Sequence, residues 1–146
     1  MLKNIWYNEG EDFSPSKDVR TKVFVIEQGY PLELEFDDLD EICPHIVVFD
    51  ELLPIATGRI VKVDETTAKL GRIAVLKEYR GQHIGERVVT ALIEKATDMG
   101  FSTLKISAQT YATAFYEKFG FKKYGSEYLD VHLLHIDMIM IAEKNA

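Results

Sequence analysis

The sequence predicts an α+β fold built on a single mixed, mostly antiparallel sheet flanked by helices. Three observations carry this. Residues 45–75 hold three runs rich in β-branched and aliphatic side chains, separated by short polar turns, the pattern of an antiparallel meander. Glu86–Met99 sets Val88, Val89, Leu92, Ile93, Ala96 and Met99 on one face of a long amphipathic helix. Beyond it a strand, a short helix and another strand follow in turn, so helices and strands share one layered core.

The elements follow in order. The first ten residues include Ile5 and Trp6 and read as a short edge strand. Ser14-Pro15 has the form of an N-cap followed by proline at the first helical position, where its missing N–H costs nothing. Val19, Val23 and Ile26, with Phe24 beside them, carry this helix to Gln28, and Gly29-Tyr30-Pro31 stops it. Six of the nine positions from Glu33 to Glu41 are acidic, and their mutual repulsion predicts a solvated loop. His45–Phe49, Pro54–Val63 and Lys69–Val75 are the meander strands, with Gly58 inside the second. Gly100 closes the long helix as a left-handed C-cap residue. Leu104–Ala108 is a short strand and Ala112–Phe119 a short helix stopped by Gly120. The apolar strand Ile136–Ile141 either completes the sheet or pairs with a second copy in a homodimer.

Composition narrows the function classes. At 146 residues with 47% hydrophobic content, the chain suits one globular domain spanning 1–146, without repeats or linker-like tracts. No apolar run reaches the ~18–20 residues of a membrane span, and the first residues lack the basic-then-apolar form of a signal peptide. The lone Cys43 forms no intrachain disulfide or thiolate cage, which fits a reducing cytoplasm. A net charge of −7 argues against nucleic-acid or membrane partners in the absence of a basic patch.

The segment with chemical content is Arg72 to Gly85, a strand running through a loop into the N-terminus of the long helix. Unpaired N–H groups and the positive end of the helix dipole suit a pyrophosphate there. Gly81 and Gly85 admit close approach of the backbone, and Arg80 adds a fixed positive charge. Metal-ligand spacings, a nucleophile elbow and a Walker lysine are all absent, so metal-dependent, hydrolase and kinase chemistries are not expected.

Arg80, Ile84 and Gly85, followed by Ala112, Phe115, Tyr116, Glu117, Lys118, Gly120 and Phe121, resemble the two signatures of the GNAT N-acetyltransferase superfamily. His83 stands where that family usually has a glycine, and Gln109 where it has asparagine. Val23–Gln28, Pro31, Glu35, Asp37, His45, Gly58-Arg59, Tyr128-Leu129-Asp130 and His135 extend the likeness to a small bacterial ElaA-like subgroup. The resemblance implies a V-shaped split between two central strands, Arg72–Val75 and Leu104–Ala108, that holds acetyl-CoA. It implies that the Ile73, Ala74 and Val75 backbone pairs with the pantetheine arm. It likewise implies that Arg80, Gly81, Gln82, His83, Ile84 and Gly85 hold the pyrophosphate, with Gln109, Phe115 and Tyr116 completing the cofactor site. An N–H near Val75 would polarise the thioester carbonyl, and Tyr116 would protonate the departing sulfur.

The proton acceptor stays open among several residues. Glu27 is placed first, at the end of an apolar run, with Glu35, Asp37, Asp38, His45 and His135 as rivals. Glu35, Asp37 and His45 are the expected acceptor-binding residues, on an acidic rim suited to a cationic amine carried by a small molecule or a protein. The expected activity is therefore direct acetyl transfer from acetyl-CoA to a primary amine. Two other readings are an idle acyl-CoA-binding module, which would bind without turnover, and a ligand-free interaction protein, which acetyl-CoA would not stabilise.

Overall fold

The computed structural model describes residues 1–142. Its strands are β1 (Leu2–Tyr7), β2 (His45–Asp50), β3 (Leu53–Lys62), β4 (Thr67–Val75), β5 (Thr103–Gln109), β6 (Lys122–Asp130) and β7 (Leu133–Ile141). Its α-helices are α1 (Ser14–Arg20), α2 (Leu32–Glu35), α3 (Ile84–Asp98) and α4 (Thr113–Glu117). The strands form one seven-stranded sheet in the order β1-β2-β3-β4-β5-β7-β6. Every neighbouring pair is antiparallel except β4 and β5, which run parallel because α3 crosses between them.

Local chemistry accounts for the helix boundaries. Phe13 rather than Ser14 is the N-cap of α1, and the Asp12 carboxylate takes the Ser14 amide at 2.9 Å as well as its hydroxyl. The helix then widens into a π-helical stretch, Thr21–Glu27, where the Gln28 N–H reaches the Val23 carbonyl five residues back at 3.0 Å. Helix α3 buries Ile84, Val88, Val89, Leu92 and Ala96 against β3 and β4, and each large side chain contributes about 1.5–3 kcal/mol. Gly58 of β3 permits this approach, since a Cβ there would lie 2.7 Å from Leu92 Cδ1 and 3.1 Å from Val88 Cγ1.

Three elements differ from expectation. The acidic stretch is not a solvated loop: it folds as α2 and a 3₁₀ turn, Asp38–Glu41, with Glu35 and Asp40 buried. Strand β6 was not expected, because all nine of its residues are exposed and give no alternation. Consequently β7 is not a free edge. It lies between β5 and β6, so it completes the sheet and offers no open edge to a second copy.

The sheet opens at its centre. Strands β4 and β5 pair only over Thr67–Leu70 against Thr103–Ile106. On the other side of β4, Arg59 faces Gly71 and Thr57 faces Ala74, so Arg72 and Ile73 together oppose the single Gly58. This β-bulge, with Arg72 in the left-handed region at φ 51°, bends β4 away from β5. The split begins later on β5 than expected: Leu104 and Ile106 are still paired, and the diverging edges are Gly71–Val75 and Ser107–Gln109.

Candidate active site

The split is the floor of a cleft of about 840 Å³ that passes between β4 and β5 and joins the two faces of the sheet. Gly81, His83, Ile84, Gly85, Ala112, Phe115 and Tyr116 line it toward α3 and α4. Toward the other face it is lined by Gln28, Tyr30, Glu35, Arg72, Ser107, Gln109, Asp130 and His135.

Along the first wall the backbone is poised for a ligand. Ala74 pairs with Thr57 of β3, and the Leu76 N–H donates to the Ile55 carbonyl at 2.8 Å. By strand alternation Ile73 and Val75 then turn their peptide groups to the open side. The amides of Gly81 to Glu86 donate to no acceptor among the described residues, and the first helical bond of α3 is Arg87 N–H to the His83 carbonyl at 3.2 Å. Gln82, expected among the cofactor-binding residues, lies outside the cleft lining. The other five residues line the cleft, and their amides form an anion cradle at the helix N-terminus. Gly85 keeps it open, because a Cβ there would lie 3.3 Å from Phe115 Cζ. His83 occupies the N-cap position at φ 62°, ψ 20°. That left-handed conformation is why glycine suits the position, and histidine is among the side chains that tolerate it.

Arg80 lines the cleft, but its charge is already engaged. Nη1 and Nη2 hold the Glu27 carboxylate at 2.6 and 2.7 Å, and Nε donates to the Val75 carbonyl at 3.1 Å. The Arg80 hydrogen bond holds Glu27 below the usual carboxylate range. Glu27 also lies outside the cleft lining, and both features argue against it as a proton acceptor. Tyr116 sits in the wall, edge-on to Phe115 and Phe121 at 5.1 and 6.2 Å between ring centroids. Burial raises its hydroxyl well above the ordinary value, so it stays protonated. The hydroxyl makes no hydrogen bond among the described residues. Gln109 also lines the cleft, donating from Nε2 to Gln28 Oε1 at 2.9 Å.

The acidic stretch is bound into a buried charge cluster. Arg20, fully buried, donates to Glu35 Oε2 at 2.9 Å, to Asp40 at 2.7 and 3.1 Å, and to the Glu35 carbonyl at 2.8 Å. Arg59 holds both oxygens of Asp37 at 2.7 and 3.0 Å and also reaches Asp40 at 2.7 Å. Arg72 contacts Glu35 Oε2 at 3.2 Å. The sequence offers Arg59 and Arg72 as partners of the acidic set, and both pair with it. Arg20 is the partner that sequence reasoning misses, because it lies far from these carboxylates along the chain.

The cluster sorts the expected acceptor-binding residues. Glu35 faces the cleft, and burial pushes its carboxyl up against the opposing pull of Arg72 and Arg20. Asp37 is outside the cleft lining and occupied by Arg59, whose hydrogen bonds hold it at about 2. His45 is also outside it, 1% exposed and stacked on Phe13 at 4.3 Å, with Nε2 donating to the Asp40 carbonyl at 2.7 Å. Burial lowers its pKa, so it is a neutral core group. Cys43 lies beside it, its thiol pushed up to about 11 by burial. Asp40, Cys43 and His45 come within 4.8 Å of one another. That trio is poorly suited to a metal, since guanidinium groups hold both Asp40 oxygens and the thiol is protonated.

Comparison with known proteins gives the class first: this is an acyltransferase that draws on acyl-CoA. The chain belongs to the GNAT family, whose acetyltransferase (GNAT) domain model matches residues 33–142. It is 39% identical over 139 residues to the Bacillus subtilis uncharacterized N-acetyltransferase YjcF, covering 94% of this chain and 99% of that one. Escherichia coli ElaA superposes with a TM-score of 0.86 at 25% identity, covering 96% of this chain and 99% of that one. A Lactobacillus plantarum crystal structure assigned to the N-acetyltransferases gives a TM-score of 0.89 at 28% identity, covering 97% and 99%. Among the described residues no helix is long and apolar enough to cross a membrane.

Proposed function

We propose that the protein transfers an acetyl group from acetyl-CoA directly to a primary amine, with residues 1–146 acting as one N-acetyltransferase domain. The observation that carries this reading is the continuity of one cleft. Gly81 and His83–Glu86 with their unpaired amides, the open edge of β4 at Ile73 and the Val75 N–H, and Glu35 all border it. When bound, acetyl-CoA supplies the activated thioester. The amides of the α3 N-terminus hold its pyrophosphate, while Arg80 contributes charge only as far as Glu27 releases it. The β4 edge pairs with the amide-containing arm as a neighbouring strand would, and an N–H at Val75 faces the carbonyl oxygen where negative charge develops.

Tyr116 supplies a proton to the departing sulfur, a role that suits a hydroxyl kept protonated by burial. Glu35 holds the acceptor's ammonium through Oε1, since its Oε2 is already taken by Arg20 and Arg72. Because Asp37 and Asp40 are neutralised by arginines, a single cationic amine suits this end better than a polycation.

Release of CoA thiol in the presence of an amine panel tests the proposal. Turnover with at least one amine is expected, together with stabilisation of about 2.7 kcal/mol by acetyl-CoA at 100 times its Kd. Binding without turnover on any amine would reduce the protein to a cofactor-binding module.

A further inference from the structure

We propose that His135 accepts the acceptor ammonium's proton through Nε2, with Asp130 as the counter-charge for the imidazolium that results. The proposal rests on the reading of the cleft as an amine acetyltransferase site. His135 lies on β7 opposite Gln109 of β5, lines the cleft, and is 5% exposed. Its Nδ1 is 3.0 Å from the Leu133 carbonyl. A carbonyl only accepts, so Nδ1 carries the hydrogen and the neutral ring leaves its lone pair on Nε2. Nε2 has no hydrogen-bond partner among the described residues. Asp130 Oδ2 stands 3.9 Å away, too far for a hydrogen bond but within ion-pair distance of a ring that has taken up a proton.

The surroundings are accounted for. From β6, Tyr128 stacks on the ring at 6.1 Å, and its hydroxyl is committed to Ser107 and to Asp137 at 2.7 Å. Gln109 is bonded to Gln28. Glu35 and Arg72 line the same cleft from α2 and β4. The other candidates fit the role less well. Glu27 and Asp37 are held by Arg80 and Arg59, and the His45 Nε2 is already a donor. A proton on Glu35 would weaken its buried pairs with Arg20 and Arg72, a costly loss, whereas a proton on His135 gains Asp130. In the step itself an ammonium N–H bond breaks, its electron pair stays on nitrogen, and an Nε2–H bond forms. The proton later passes to solvent past Asp130, whose side chain is 53% exposed.

The test uses two acceptors of nearly equal shape. At neutral pH 2-phenylethylamine is protonated, whereas O-benzylhydroxylamine is already a neutral amine. Thiol release is followed for the full chain and for His135→Gln. The variant is expected to lose about 100-fold or more in kcat/KM with 2-phenylethylamine, to keep nearly its full rate with O-benzylhydroxylamine, and to retain stabilisation by acetyl-CoA. Equal losses on both acceptors, or none, would overturn the role of His135. If His135→Gln does not fold, Asp130→Asn at its more exposed position serves instead. It should lower the first rate severalfold and spare the second, and an unchanged ratio overturns the inference. The pair is run beside the amine panel, and wild-type protein that acetylates none of these amines overturns the functional reading, and this inference with it.

Discussion

Arg20→Ala offers the sharpest test of the buried charge cluster. The guanidinium is fully buried and donates four hydrogen bonds, to Glu35 Oε2, the Glu35 carbonyl and both Asp40 oxygens, at 2.7–3.1 Å. Removing it leaves two carboxyl groups, 5% and 3% exposed, with part of their compensation gone. Breaking a buried pair on one side costs about 3–5 kcal/mol. At ~2–4 °C per kcal/mol for a chain of this size, the melting temperature should fall by roughly 6–20 °C. Calorimetry or chemical denaturation measures the loss. Adding Asp40→Asn to the same variant should recover part of it, because the excess negative charge disappears while Arg59 keeps Asp37 and Arg72 keeps Glu35. A drop within about 1 kcal/mol, the size of an exposed ion pair, would refute the reasoning. So would a double variant no better than the single one, since the loss would then come from packing alone.

Three further outcomes are expected. Tyr116→Phe should lower kcat by about 100-fold with little change in stability or acetyl-CoA binding, since the hydroxyl has no hydrogen-bond partner among the described residues; a steady-state assay beside a thermal shift checks both. Gly85→Ala sets a methyl group 3.3 Å from Phe115 Cζ at the mouth of the amide cradle, so acetyl-CoA affinity measured by calorimetry should fall far more than stability. Asp37, held at about 2 by the Arg59 hydrogen bonds, contributes stability above the unfolded carboxyl value of about 3.9. That contribution is lost as pH falls through about 2, so denaturation curves of wild type and Asp37→Asn should converge between about pH 4 and 2. The gap at neutral pH should be modest, because the Asp37 side chain is 35% exposed.

Periodicity made the frame of the fold legible. The α3 stripe Val88, Leu92, Ala96 and the runs of β2–β4 are buried as their spacing implies. Strand β6 was illegible because a strand with both faces toward solvent leaves no apolar mark. Charge counting misjudged Glu35 and Asp40, since repulsion within a run says nothing of arginines folded onto it from α1, β3 and β4. The anion cradle could be located from Gly81 and Gly85, but the bulge at Arg72 could not: Gly71-Arg72-Ile73 reads as ordinary strand, and the extra residue shows only against Gly58. Glu27 was placed by its apolar neighbours, yet the chain turns its carboxylate to Arg80.

The bulge has a further consequence. By ending the β4–β5 ladder early it creates two strand edges in the interior of the sheet, Gly71–Val75 and Ser107–Gln109, rather than at its rim. Unpaired strand edges invite pairing with other chains, and here they face each other across the cleft, away from the rim of the sheet. Occupancy should therefore register as slowed amide exchange at Ile73 and Val75, and a bound ligand would serve as a removable rib that ties the halves of the sheet together.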